Sequence, residues 1–408
     1  MKTAKPRLNA REVVADIRSG LSDEQLMSKY GLSAKGLTAL FDKLAAANLI
    51  SRGELEARMS HRESTVDLEI TSRYLADSQE LAIYSYRWRF PTKAWIVSSP
   101  AFWESALFFG SWDGFLYALD SETGIMFWNF RAGDVIRTSP VVGEDLVFFC
   151  SWDAHVYALD LSTGKEVWRF KTKDAIWSSP ALEEDTIFLT SSDGSLYALV
   201  AKTGKPRWEF AVHGSTLHWA QSSPSVHSGL VYIGDPQGHF HALDAKTGKT
   251  VWVHKATGPV DCSSAIADET VYVGSGTDIL AALDCETGKV QWTVSTQNAL
   301  FSSLGVAGAK VCFAASGGTI YGFDRRTGAE KWQYPGEGAF TPPAESSGVI
   351  YFGNSDHNLY ALDIQTGRKL WTFATGGALL SVPRVRNRLI YVGSTDGHLY
   401  ALPEKLEL

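Results

Sequence analysis

Tryptophan recurs at positions 88, 128, 168, 208, 252, 292, 332 and 371, and this period constrains the fold more than any other feature. Every gap is 39 or 40 residues except the 44 between Trp208 and Trp252. Each tryptophan closes a shared phrase. The first copy runs from Tyr117-Ala-Leu-Asp120 through Thr123-Gly124 to Trp128. Later copies run from Tyr157 to Trp168, Tyr197 to Trp208, His241 to Trp252, Ala281 to Trp292, Tyr321 to Trp332 and Tyr360 to Trp371. An eighth begins at Tyr400-Ala401-Leu402 and stops at Pro403 without its tryptophan. The missing residue stands at the other end, as Trp88 in Tyr86-Arg-Trp-Arg-Phe90. A period of this length means one supersecondary unit repeated in an array.

Each unit reads as four short strands bounded by turn residues. In the second, strand A starts at Ser139-Pro140-Val-Val, B is Leu146–Cys150, C is His155–Asp160 and D is Val167–Phe170. The Asp-x-x-Thr-Gly phrase between C and D is a turn: the Asp side chain bonds its own downstream backbone, and Gly supplies a positive φ. The tryptophan on D is a rigid plate suited to the wedge between neighbouring units. Radial repetition leaves no long exposed sheet edge provided the ring closes. Closure is legible: residues near 85–90 supply strand D to a last blade whose strands A to C lie near 380–403. The predicted fold is an all-β eight-bladed propeller of four-stranded antiparallel blades over 85–408, behind a small all-α domain at 1–52 and a linker at 53–84.

The phrase Ala-x-Asp-x-x-Thr-Gly-x-x-x-Trp resembles the pyrroloquinoline-quinone-type propeller repeat across residues 85–403. The departures at Val200, Gly322-Phe323-Asp324 and Pro403 read as repeat drift. Quinone-dependent dehydrogenases of that kind carry a vicinal cysteine pair over the cofactor, a calcium site, an acidic base and long loop insertions. Cys150, Cys262, Cys285 and Cys312 are scattered and none adjoins another, and the long insertions are lacking. The resemblance therefore implies the fold without the chemistry, and the chain is read as non-enzymatic, with no cofactor. The same repeat serves non-catalytic proteins, including the lipoprotein that scaffolds bacterial outer-membrane barrel assembly. The start, Met-Lys-Thr-Ala-Lys-Pro-Arg, has no apolar signal core and no stretch suits a membrane helix, which sets the expectation of a cytoplasmic, bacterial protein with no membrane partner. The four cysteines are read as buried small hydrophobes on strands.

Other chemistry is faint. His213 and His218 lie in the insertion of the longer repeat, and His239 and His241 alternate on one strand face. Without a neighbouring cysteine or carboxylate, neither pair reads as a metal site. No phosphate loop, nucleophile elbow or HExxH occurs.

The unshared tryptophans point to a partner surface. In a four-stranded meander the D–A connections and B–C turns share one face. Five of the six non-repeat tryptophans map there: Trp95, Trp177 and Trp219 near D–A connections, Trp112 and Trp152 in B–C turns. All six, with Trp103 in an A–B turn, come from the first four blades. The residues before strand A are expected to ring the channel mouth: Val97, Arg137, Trp177, Gln221, Cys262, Phe301, Phe340 and Leu380. Aromatic residues and arginine dominate binding hot spots, although propellers also fill their channels with such side chains. The predicted partner-binding set is Trp112, Arg137, Trp152, Trp177, Trp219, Phe301 and Phe340, holding a protein or peptide.

The first 60 residues carry ten Lys and Arg against seven Asp and Glu, whereas the whole chain has a net charge of −7. Helical periodicity covers residues 9–52: a helix over Ala10–Ser19, a Ser22 cap with Gln25 at capping-box spacing, a helix over Asp23–Tyr30, then Gly31-Leu32-Ser33 and a helix over Ala34–Ala47. This order resembles a helix-turn-helix, whose second helix enters the DNA major groove. Its exposed positions would be Ser33, Lys35, Thr38 and Lys43. Two lysines, one aspartate and no arginine make a poor phosphate-binding helix. The leading expectation is a scaffold whose helical domain couples the propeller to a second partner. The alternatives are a DNA-binding regulator with a propeller sensor, nucleic acid meeting residues 1–52, and a quinone-dependent oxidoreductase.

Overall fold

The computed structural model describes residues 13, 14, 16, 17, 23–30, 37, 40, 41, 44, 86–212, 222–276, 279–296, 304–315 and 318–404. The repeat produces eight four-stranded sheets, the blades of a propeller. Blade 2 is Val141–Val142, Leu146–Cys150, His155–Asp160 and Glu166–Lys171, in that order across the sheet. Strands B and C fall where the sequence puts them. Strand A begins at Val141 and not at Ser139, since Pro140 has no N–H to give a ladder. In the last blade Trp88–Pro91 lies beside His398–Pro403, followed by Leu389–Gly393 and Arg384–Arg386. Backbone bonds from Arg87 N to Ala401 O (2.6 Å) and from Thr92 N to Gly397 O (2.7 Å) flank this closure.

Strands B and C are buried on both faces because each blade packs between two others. Phe148, Val156 and Trp168 of blade 2 share one apolar cluster with Ile187, Leu189 and Leu199 of blade 3. Strand D forms the rim, with inward positions alternating against exposed ones such as Phe127 and Val167.

The plates work as the spacing implies. From Trp128 to Trp371, each Trp pairs across the sheet with a small residue, as Ala118 with Trp128 and Ala158 with Trp168, at a bulge. Its indole reaches the next blade: Nε1 of Trp128, Trp168, Trp208, Trp252, Trp292 and Trp332 donates to the carbonyls of Leu161, Ala201, Ala245, Cys285, Arg325 and Ile364, at 2.8–3.1 Å. The turn glycine of that next blade lies flat on the ring. A Cβ on Gly164, at φ +66°, would stand 2.5 Å from Trp128. The turn aspartate accepts from Thr three residues on, through both N–H and O–H; for Asp160 these distances are 2.8 and 2.7 Å.

A second belt lies nearer the axis, unforeseen from the sequence. The backbone N–H of Ser99 donates to Ser139 Oγ, Ser139 to Ser179, Ser179 to Ser223 and Ser223 to Ser263, each at 2.9 Å. Val382 N donates to Ser99 Oγ at 2.9 Å, carrying the belt across the closure.

Of the cysteines, Cys150 and Cys312 are buried on strands as expected. Cys285 is buried in a turn, and Cys262 is only partly buried in a D–A connection, so two of the four depart from the strand expectation.

In the N-terminal part, the helix Asp23–Tyr30 has the bounds the sequence predicts. Val13, Ile17, Leu26, Tyr30, Leu37, Leu40, Phe41 and Leu44 form one buried cluster. Asp16 accepts from Lys29 Nζ at 2.7 Å and from the Tyr30 hydroxyl, and these bonds hold its carboxyl below the ordinary aspartate value. Ser22, the candidate DNA-facing residues Ser33, Lys35, Thr38 and Lys43, and the linker 53–84 lie outside the described residues. Among the described residues no helix is long and apolar enough to cross a membrane.

Candidate functional site

Four of the unshared tryptophans make a continuous row on the D–A/B–C face. Trp95, in the connection entering blade 1, lies 4.8 Å from Trp112 between ring centroids. Trp112, in the B–C turn of blade 1, lies 5.4 Å from Trp152, its counterpart in blade 2. Trp152 lies 4.2 Å from Trp177, in the connection entering blade 3. The Arg137 guanidinium sits over the Trp177 ring, 5.5 Å from its centroid. Residues 82 positions apart in sequence thus form one surface.

The turns fix the row. Trp112 N donates to Trp95 O at 2.9 Å and Trp152 N to Val135 O at 3.1 Å, so each B–C turn is hooked to the connection beside it. The aspartate after each of these tryptophans strengthens the hook. Asp113 accepts from Lys93 N, Phe115 N and Tyr117 Oη, at 3.1, 3.1 and 2.8 Å. Asp153 does the same with Gly133 N, His155 N and the Tyr157 hydroxyl. Burial together with the bond to Asp153 pushes the Tyr157 phenol up to about 12. These aspartates were missed in the sequence, although Asp113, Asp153 and Asp193 recur at the repeat period and Asp356 and Asp396 hold the same turn position.

Two properties separate the row from the plates. Trp95 is 46% exposed. The indole N–H groups of Trp112 and Trp152 are shielded from solvent and have no acceptor among the described residues, whereas six plate indoles are all bonded. Buried donors are normally satisfied, so this row carries unused hydrogen-bonding capacity. Arg137 is partly buried, which lowers its pKa, and among the described residues no carboxylate pairs with it.

The other expected positions fall elsewhere or outside view. Trp219 and Phe301, with Gln221, His213 and His218, lie outside the described residues. Phe340 is 5% exposed, its ring packed on Phe352 and Tyr360, so it belongs to the packing of blade 7. Leu380 is 42% exposed.

The reading of His239 and His241 as lacking a carboxylate is corrected. Asp235, four residues before His239, is fully buried, and its Oδ2 lies 3.0 Å from His239 Nδ1 and 3.4 Å from His241 Nε2. The tight B–C turn folds it back onto the strand, which linear spacing along a strand does not register.

The family described as outer membrane protein assembly factor BamB matches residues 113–261, 256–342 and 335–405. BamB from Moraxella catarrhalis has a similar structure, with a TM-score of 0.70 at 21% identity over 78% of this chain and 99% of that one. The computationally designed Ika8 protein matches with a TM-score of 0.68 at 18% identity, over 77% of this chain and 97% of that one. Quinohemoprotein alcohol dehydrogenase from Comamonas testosteroni matches with a TM-score of 0.67 at 14% identity, over 78% of this chain and 76% of that one. At these identities the likeness is one of fold. No curated protein matches the sequence.

Proposed function

The chain belongs to the propeller-repeat family described as outer membrane protein assembly factor BamB, and from that premise we propose that it is a non-enzymatic protein-binding scaffold. The observation that carries this reading is the row Trp95–Trp112–Trp152–Trp177 with Arg137 stacked at its end. It is confined to the first blades, so the ring's symmetry does not require it. The partner is a peptide segment that lays an apolar side chain on the indoles and brings a carboxylate to Arg137. Such a segment would pair a guanidinium that has no carboxylate partner among the described residues of the free protein.

The absence of adjacent cysteines anywhere in the sequence argues against the quinone chemistry found on the same fold. Residues 1–52 are assigned to coupling with a second partner, in the manner of a helix-turn-helix adaptor. DNA contact through that part would show as a salt-dependent gel shift with residues 1–60.

The test is quantitative affinity capture from the native cell with wild type, the Trp152→Ala/Trp177→Ala double variant, and Arg137→Glu. Both variants are expected to keep the wild-type unfolding free energy within about 2 kcal/mol and to lose most of the captured partner. Equal capture by all three proteins sinks the proposal.

A further inference from the structure

Blade 4 breaks the repeat at three positions together. Blades 1, 2, 3 and 8 have Ser, Asp and Tyr in the B–C turn and strand C, as in Ser111, Asp113 and Tyr117, or Ser151, Asp153 and Tyr157. There the serine is buried, and the aspartate on the turn accepts the tyrosine hydroxyl. In blade 4 the corresponding residues are Asp235, Gln237 and His241. The carboxylate has moved two places back, into the buried serine position, and the tyrosine has become a histidine. His239 occupies a position that is also histidine in blades 2 and 8, where His155 and His398 face a turn aspartate but have a tyrosine in place of a second histidine. Random drift at one site would have left an unmatched group. These three changes complement one another.

The geometry that results is that of a metal chelate. Asp235 Oδ1 accepts the backbone N–H groups of Gln237 and His239 at 2.9 and 2.8 Å, which fixes the carboxylate and aims Oδ2 at both rings. Oδ2 stands 3.0 Å from His239 Nδ1 and 3.4 Å from His241 Nε2, and all three atoms lie within 4.8 Å of one another. Ligand atoms about 2.0–2.1 Å from a tetrahedral zinc ion are roughly 3.3 Å apart. The backbone bonds to Oδ1 are the outer support that ligating carboxylates ordinarily have. Two imidazoles and one carboxylate suit zinc and its first-row neighbours better than calcium or magnesium, which prefer all-oxygen sites.

We propose that Asp235, His239 and His241 form a binding site for a zinc-class divalent ion, with three protein ligands and a fourth position left to water or a partner group. Among the described residues no other group of histidine, cysteine and carboxylate side chains converges in this way. The site has a built-in competitor. Lys255 Nζ lies 3.3 Å from His239 Nε2 and donates to Gln237 O at 2.6 Å. While the ammonium donates to Nε2, the ring proton stays on Nδ1, the atom the metal needs. Metal uptake therefore moves Lys255 aside and switches the ring to its Nε2–H tautomer, one proton leaving Nδ1 as another is taken up at Nε2, which frees the Nδ1 lone pair for the ion.

The experiment uses the full chain stripped of metal with a chelator, titrated with Zn²⁺ by calorimetry and with Co²⁺ by its ligand-field absorption. One ion per chain is expected, with a cobalt spectrum of low coordination number. His241→Tyr restores the sibling residue, so it keeps the blade folded while removing a ligand. It and His239→Ala are each expected to weaken binding at least tenfold, while Lys255→Met strengthens it. A wild-type chain that takes up no Zn²⁺, or takes it up with the same affinity as both histidine variants, overturns the site.

Discussion

At the scale of single residues, two glycines with similar backbones separate conformation from packing. Gly248 has φ +69° and a Cβ there would stand 2.6 Å from the Trp208 ring; Gly229 has φ +77° with nothing within 4 Å. Gly229→Ala is expected to cost about 1–2 kcal/mol, the left-handed penalty alone. Gly248→Ala adds overpacking of about 1–3 kcal/mol against a plate that cannot retreat. Urea denaturation of the pair checks the difference, and equal losses would mean the plate is soft. Gly322, which reads in the sequence as drift from alanine, has a reason of the same kind. A Cβ there would stand 2.3 Å from Trp332, so that ring occupies the space its siblings leave to a methyl group. Acid should act on the turn aspartates. Hydrogen bonds from Thr163, Thr247, Thr287, Thr327 and Thr366 hold Asp160, Asp244, Asp284, Asp324 and Asp363 below the ordinary value of 3.8. A depressed folded value stabilises the fold above the unfolded value, and that contribution disappears as pH falls through the folded one. The urea midpoint is thus expected to drop below about pH 4, and to drop less steeply in Asp160→Asn.

At the scale of elements, the serine belt is a claim about how one blade holds the next. Ser139→Ala removes the acceptor of the Ser99 N–H and leaves a part-buried backbone donor without its partner. The expected cost is about 1–3 kcal/mol, read as a shift in the urea midpoint without a change in slope. No measurable shift would assign blade cohesion to the plates alone. The belt also shows where the sequence stops being informative. Strands B, C and D and the Asp-x-x-Thr-Gly turn were legible because they repeat a local pattern whose cause lies within about 15 residues. The belt was not, because serine before strand A looks like any turn residue until the preceding blade, 40 positions back, supplies the N–H that its hydroxyl accepts. The tryptophan row was legible in part: strand order put Trp95, Trp112, Trp152 and Trp177 on one face, but only the folded turns show that they touch. The Asp235 cluster was misread for the same reason, since its carboxylate reaches the histidines around a turn.

At the scale of the whole molecule, the ring depends on a strand contributed from the far end of the chain. Trp88–Pro91 is the outer strand of the last blade, beside His398–Pro403. Within it, Phe90 packs edge-on against Phe109 and Tyr117 of blade 1, at 6.2 and 5.4 Å. The same four residues therefore complete one blade and cover the next. Deleting residues 1–84 leaves this strand in place, and the propeller is expected to melt in one cooperative transition. Deleting residues 1–91 removes it, takes away the plate Trp88, uncovers Phe109 and Tyr117, and leaves His398–Pro403 as an open edge. That protein is expected to melt at lower temperature in a broadened transition and to associate through the exposed edge, as seen by circular dichroism and size-exclusion chromatography. A synthetic peptide of residues 85–92 should then bind by strand addition and restore the transition. If both deletions melt alike, the outer strand is dispensable, and closure rests instead on the Val382–Ser99 bond nearer the axis. The two closures lie at different radii, and comparing the deletions with Ser99→Ala separates them. An outer strand that carries closure makes the longer deletion the more damaging, and a belt that carries it makes the point variant so.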